Sequence, residues 1–123
     1  MSTWYEEFYA TVDAMDADAL GARCTPDTRV QMANHPPAVG REAVLDGLRG
    51  FWSTIGGMRH EFKLVIESGD TACVEAVVHY TLKNGDQVSI PAVTMIRREG
   101  GLVADQRIYI DLAPLHEPAG AAD

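Results

Sequence analysis

The sequence predicts an α+β fold in which a cone-shaped, curved antiparallel sheet wraps three helices from the N-terminal half and leaves an internal pocket at its wide end. Three observations carry this expectation. Apolar residues recur at helical spacing through the first half of the chain and at alternating positions through the second. The second half is punctuated by Ser68-Gly69-Asp70, Asn84-Gly85 and Gly100-Gly101, all sequences that favour tight turns. With 123 residues, 46% of them hydrophobic and 23% charged, the chain suits one packed domain, read as residues 1–115 followed by a disordered tail over 116–123.

Each element follows from local signals. Thr3 and Glu6 form a capping-box pattern, and Trp4, Tyr5, Phe8, Val12 and Met15 then make one apolar stripe, which predicts the first helix. Asp16 or Asp18 caps a second, shorter helix that Pro26 stops, and Thr28 to Ala33 alternates weakly as a short strand. Beyond Pro36-Pro37, Arg41 to Ile55 aligns Val44, Leu45, Leu48, Phe51, Trp52 and Ile55 on one face, with Gly56-Gly57 as the C-cap of this third helix. Everything after it reads as strand. Met58, His60, Phe62, Leu64 and Ile66 share one side of the first, and Thr71 to Lys83, Gln87 to Arg98 and Leu102 to Leu112 complete a four-stranded meander. From Ala113 the chain is small, proline-containing and unpatterned.

The totals exclude several functions. With 18 acidic against 10 basic residues the formal charge is -8, and no basic cluster offers a footing for nucleic acid. No run of about 18 apolar residues predicts a membrane span, and the first residues lack a basic stretch followed by an apolar one, so a cytoplasmic location is expected. Cys24 and Cys73 read as reduced thiols, with a single disulfide left open. No metal is expected: Glu75 and His79 stand four apart on a strand, which separates them by about 13 Å. No phosphate-binding glycine loop or dinucleotide fingerprint occurs, so no cofactor is expected either.

The order of elements resembles the nuclear transport factor two-like superfamily, which includes ketosteroid isomerase, SnoaL-like polyketide cyclases, scytalone dehydratase and limonene epoxide hydrolase. The resemblance runs to about Leu115 and is carried locally by "MDADAL", "PPAVGREAV" and "GLVADQRIYIDL". In limonene epoxide hydrolase the Tyr and Asn that hold the attacking water match Val30 and Met32 here, the Arg and Asp of the third strand match Ala76 and Val78, and the Asp of the last strand matches Ile108. All five are apolar, so the resemblance implies that water is not activated in that manner. Ketosteroid isomerase-like enzymes carry a general-base Asp near the end of the first strand. Between Asp27 and Glu42 this chain has no carboxylate, and Asn34 and His35 are the nearest polar groups.

Strand parity supplies the remaining candidates. His60 lies on the apolar face of its strand, either as the acid-base group of the pocket or as a hydrogen-bonded core residue. Tyr80 shares a face with Ala76 and Val78, and Gln106 with Ile108 and Ile110, so both can offer hydrogen bonds to a ligand. The expected catalytic set is therefore His60, Tyr80 and Gln106, and the expected ligand-binding wall is Val30, Met32, Trp52, Ala76, Val78 and Ile108. Val77, His79, Arg107, Tyr109 and Asp111 face outward, where relatives commonly dimerise, and a symmetric homodimer is expected. The activity this implies is isomerase or cyclase chemistry on a hydrophobic small molecule of polyketide or terpenoid type. The alternative is a non-catalytic ligand-binding or interaction module whose ancestral site has been overwritten with aliphatics. A polar pair within hydrogen-bond reach inside the cavity favours the first, and a wholly apolar lining the second.

Overall fold

In the computed structural model, which describes residues 3–116, one six-stranded sheet curls around the helices in the order β2-β1-β6-β5-β4-β3. The chain runs α1 (Trp4–Asp13), α2 (Ala17–Gly21), β1 (Cys24–Met32), β2 (Ala38–Val39), α3 (Arg41–Trp52), β3 (Gly57–Ser68), β4 (Thr71–Thr81), β5 (Gln87–Glu99), β6 (Leu102–Ile110) and α4 (Ala113–His116). The expected α+β architecture and the β3 to β6 meander are present. No helix is long and apolar enough to cross a membrane.

The local signals act as read at the first two helices. Thr3 accepts a hydrogen bond from Glu6 N–H while Glu6 accepts from Thr3 N–H, closing the capping box of α1, and Asp16 accepts from Ala19 N–H to start α2. Phe8 and Leu20, each 1% exposed, meet Trp52 and Ile55 from α3 and its following turn, and these pack on Val74, Val78, Ile90 and Ile96 of the concave face. Gly69, Gly85, Gly100 and Gly101 all take positive φ, as their hairpins require. Cys24 and Cys73 are unbonded thiols.

Several expectations need correction. The strand placed at Thr28 to Ala33 begins already at Cys24, and it pairs in parallel with β6, which makes the sheet mixed. The buried Thr28 hydroxyl donates to Val103 O at 3.0 Å and ties the two strands, so Pro26 lies within a strand end rather than ending a helix. Ala38–Val39 forms a two-residue edge strand that the proline-rich loop concealed. Helix α3 stops at Trp52, and neither Gly56 nor Gly57 is a left-handed cap. Gly56 is needed for close approach: a Cβ there would lie 3.1 Å from Leu82 O and 3.3 Å from Thr81 O. Ala113 to His116 is a helical turn whose Leu115 packs on the core, not unpatterned chain, while 117–123 of the expected tail lie outside the described residues.

The largest correction concerns β3. A bulge between Phe62 and Leu64 inserts one residue, so Phe62 pairs with the inward Ala76 but Leu64 pairs with the exposed Glu75. Parity reverses there. Leu64 and Ile66, expected beside His60, are 55% and 59% exposed, and Val65 takes the inward position. Urea unfolding should therefore show Val65→Thr destabilising by about 1–2 kcal/mol and Ile66→Thr by less than about 0.5 kcal/mol. The opposite ranking would restore uninterrupted alternation.

Candidate functional site

Between α1, α3 and the concave face of the sheet lies a cavity with a volume of about 50 Å³. Most of its wall is aliphatic or aromatic, and its polar groups are the side chains of Tyr9, His60, Tyr80, Thr94 and Gln106. Eight of the nine residues expected from sequence line it: His60, Tyr80, Gln106, Val30, Met32, Trp52, Val78 and Ile108. Ala76 does not. It is 3% exposed and paired with Phe62, whose ring meets Tyr9 edge-on at 5.4 Å, so that stretch of the concave face is filled rather than open.

The groups that parity could not reveal come from α1. Tyr9 and Asp13 are one helical turn apart on the same face, which delivers both to β3. Asp13 Oδ2 accepts the His60 backbone N–H at 2.9 Å, and Asp13 Oδ1 meets His60 Nδ1 at 2.6 Å. The Tyr9 ring lies against the imidazole with centroids 4.6 Å apart. A carboxylate on Nδ1 fixes a proton there and leaves Nε2 as the basic nitrogen, with no protein hydrogen-bond partner among the described residues. Asp13 itself stands behind the imidazole and does not line the cavity. The carboxylate that meets a cavity residue thus comes from a helix, not from the stretch between Asp27 and Glu42.

Two phenols, Tyr9 and Tyr80, line the cavity together with His60. Burial, with the Asp13 charge as a smaller cause, pushes the Tyr80 hydroxyl up to about 12. Burial likewise pushes Tyr9 up to about 12, partly opposed by the neighbouring Thr94 side chain. Both therefore keep their protons at neutral pH. Gln106 is 6% exposed, and its amide makes no side-chain hydrogen bond among the described residues, so its donor and acceptor remain for an occupant. Sequence reasoning missed Tyr9, Asp13 and Thr94. The available signal was an acid four residues after an aromatic on an amphipathic helix.

The outward residues fall where parity placed them. Arg107, Tyr109 and Asp111 are exposed, and Asp105 is held by Arg29 and Arg107 at 3.4 and 3.2 Å. On the same outer surface His79 bridges Ser89 Oγ at 2.7 Å and Glu61 Oε1 at 2.8 Å. Lys63 and then His79 draw the Glu61 carboxyl down to about 2.

Comparison with known proteins agrees with this architecture. The SnoaL-like domain family matches residues 5–106. No curated protein matches the chain. A nuclear transport factor two-like protein of unknown function from Burkholderia pseudomallei superposes with a TM-score of 0.80 at 23% identity, over 91% of this chain and 91% of that one. A putative SnoaL-like polyketide cyclase from Jannaschia sp. gives 0.78 at 19% identity, over 98% and 92%. An LEH-like epoxide hydrolase from M. tuberculosis gives 0.78 at 15% identity, over 93% and 84%. At these identities the likeness is one of fold.

Ile108 tests the apolar wall directly. Ile108→Asp puts a carboxyl into the cavity, where ionisation costs a few kcal/mol and the pKa rises above the ordinary value of about 3.9. A raised acid loses stability as pH climbs past that ordinary value, so the variant should melt well below the parent at neutral pH and recover toward pH of about 4. A melting point equal to the parent's at neutral pH would place Ile108 on the outer face.

Proposed function

The chain belongs to the SnoaL-like domain family, and on that premise we propose that it is an acid-base isomerase or cyclase acting on a hydrophobic polyketide- or terpenoid-like compound. The observation that carries this reading is the 2.6 Å contact between Asp13 Oδ1 and His60 Nδ1 at the wall of an otherwise largely apolar cavity. In this mechanism His60 Nε2 removes a proton from the carbon beside a carbonyl, and Asp13 stabilises the imidazolium that forms. The carbonyl oxygen, becoming an enolate, takes hydrogen bonds from Tyr80 or the Gln106 amide, both neutral donors in a site with little water. The imidazolium then returns the proton to another carbon, or the enolate carbon attacks a second carbonyl, closing a ring, and the imidazolium gives its proton to the alkoxide that forms. Shape does the remainder, since holding the reacting atoms together supplies several kcal/mol of barrier reduction.

Proton exchange tests this without knowledge of the natural substrate. In D2O, mass spectrometry should detect deuterium entering a fused-ring enone beside its carbonyl, with His60→Ala and Asp13→Asn each slowing the exchange roughly 100-fold or more. Exchange that ignores His60→Ala sinks the proposal, and tight binding with no exchange at all favours the non-catalytic ligand-binding alternative.

The homodimer belongs to the same proposal. Tyr109, 59% exposed on β6 two residues from Arg107 and in register with Val93 and Glu75, gives the outer face an apolar anchor within a charged surround. Sedimentation should give a dimer at micromolar concentration that Tyr109→Glu converts to monomer, because a two-fold axis brings the two new charges together. A parent protein that sediments as a monomer would refute it.

A further inference from the structure

A second chamber opens beside the first, with a volume of about 370 Å³ against about 50 Å³ inside. The two share Val30, Met32, Leu48 and Phe51 as a common wall. The inner space is a few water volumes and admits a carbonyl with a carbon or two, whereas a drug-sized ligand fills about 300 Å³ or more. On these volumes, a compound that reaches His60 with one edge keeps its body in the outer chamber.

The outer lining is apolar apart from two imidazoles, His35 and His116. They arrive from separate parts of the chain, both exposed at the chamber's mouth, and the backbone of each is anchored. Ala33 takes φ 54° at the end of β1, His35 N–H returns to Met32 O at 3.1 Å, and the Gln31 amide donates to His35 O at 3.2 Å. On the other side the buried Leu112 and the packed Leu115 hold the α4 turn that presents His116. Among the described residues no Asp or Glu lines either chamber, in a chain with 18 of them. The acid-free stretch between Asp27 and Glu42 supplies Val30, Met32, His35, Pro36 and Ala38 to this chamber. Among the described residues the carboxylates thus lie away from this apolar hollow, which holds two N–H donors that gain positive charge on protonation.

We propose that the outer chamber is a subsite for an acidic oxygen substituent, a carboxylate or phenolate, at the far end of a flat apolar substrate, held by His35 and His116. This rests on the inner chamber being the reacting centre, and it specifies the class of compound that centre accepts: polar at both ends and apolar between.

Two fluorescent probes with the same aromatic skeleton separate the contributions, the anionic anilinonaphthalene sulfonate and the uncharged phenylnaphthylamine. The wild-type protein should bind the sulfonate more tightly. Replacing both His35→Ala and His116→Ala should weaken the sulfonate roughly tenfold or more while changing the amine by less than about twofold. Equal affinity of the wild type for the two probes, a double variant that binds both as the wild type does, or one that loses both alike would each overturn the proposal. Probe binding requires no turnover. Absent His60-dependent exchange would sink the acid-base reading and leave this result standing, and unaltered probe selectivity would sink the subsite alone.

Discussion

The Asp13 carboxylate is the hinge on which the interior turns. One oxygen takes the His60 backbone N–H and the other its ring, so a single side chain fixes both where β3 lies against α1 and which way the imidazole points. Its position is an unfavourable one for a free carboxylate, at the C-terminal end of a helix whose dipole is negative there. Two hydrogen bonds to one residue of the neighbouring strand offset that cost. The Tyr9 ring, tilted against the imidazole from one turn earlier in α1, restricts the rotational freedom that remains. A histidine held in this way keeps one tautomer without rearranging for each occupant.

Those features that depend on a few adjacent residues were legible in the sequence. The Thr3 and Glu6 cap, the Asp16 cap and the positive-φ glycines of the hairpins are all decided within four residues, and each acts as read. Features that depend on a distant neighbour were not. The bulge at Lys63 exists only in relation to Glu75 and Ala76 on β4, and Gly56 is required only because the carbonyls of Thr81 and Leu82 come within contact distance of it. The two residues of β2 have no pattern of their own and become a strand because Arg29 and Val30 lie beside them.

The same division runs through the cavity. Alternation on β4 and β6 was enough to direct Val78, Tyr80, Gln106 and Ile108 inward, since those strands are uninterrupted over that stretch. Alternation says nothing of depth, which is why Ala76 was grouped with them although aromatic rings fill the space above it. Asp13 and His60 are 47 positions apart, and their meeting is a property of how α1 docks on β3. Only its spacing from Tyr9 sets Asp13 apart from its neighbours Asp16 and Asp18, the first of which is a helix cap, and that spacing does not name His60 as the partner.

The bulge in β3 has a further consequence for how copies of this chain behave in company. β3 is twelve residues long and lies at the end of the sheet, and beyond the bulge it carries Leu64 and Ile66 on its outward face. A straight, greasy edge of that length is a template for strand addition and fibre growth. By inserting Lys63 at its middle, the bulge breaks the regular row of backbone donors and acceptors, twists the two halves out of line and plants a cation at the break. The irregularity that spoils simple alternation along β3 also gives this edge resistance to self-propagating aggregation.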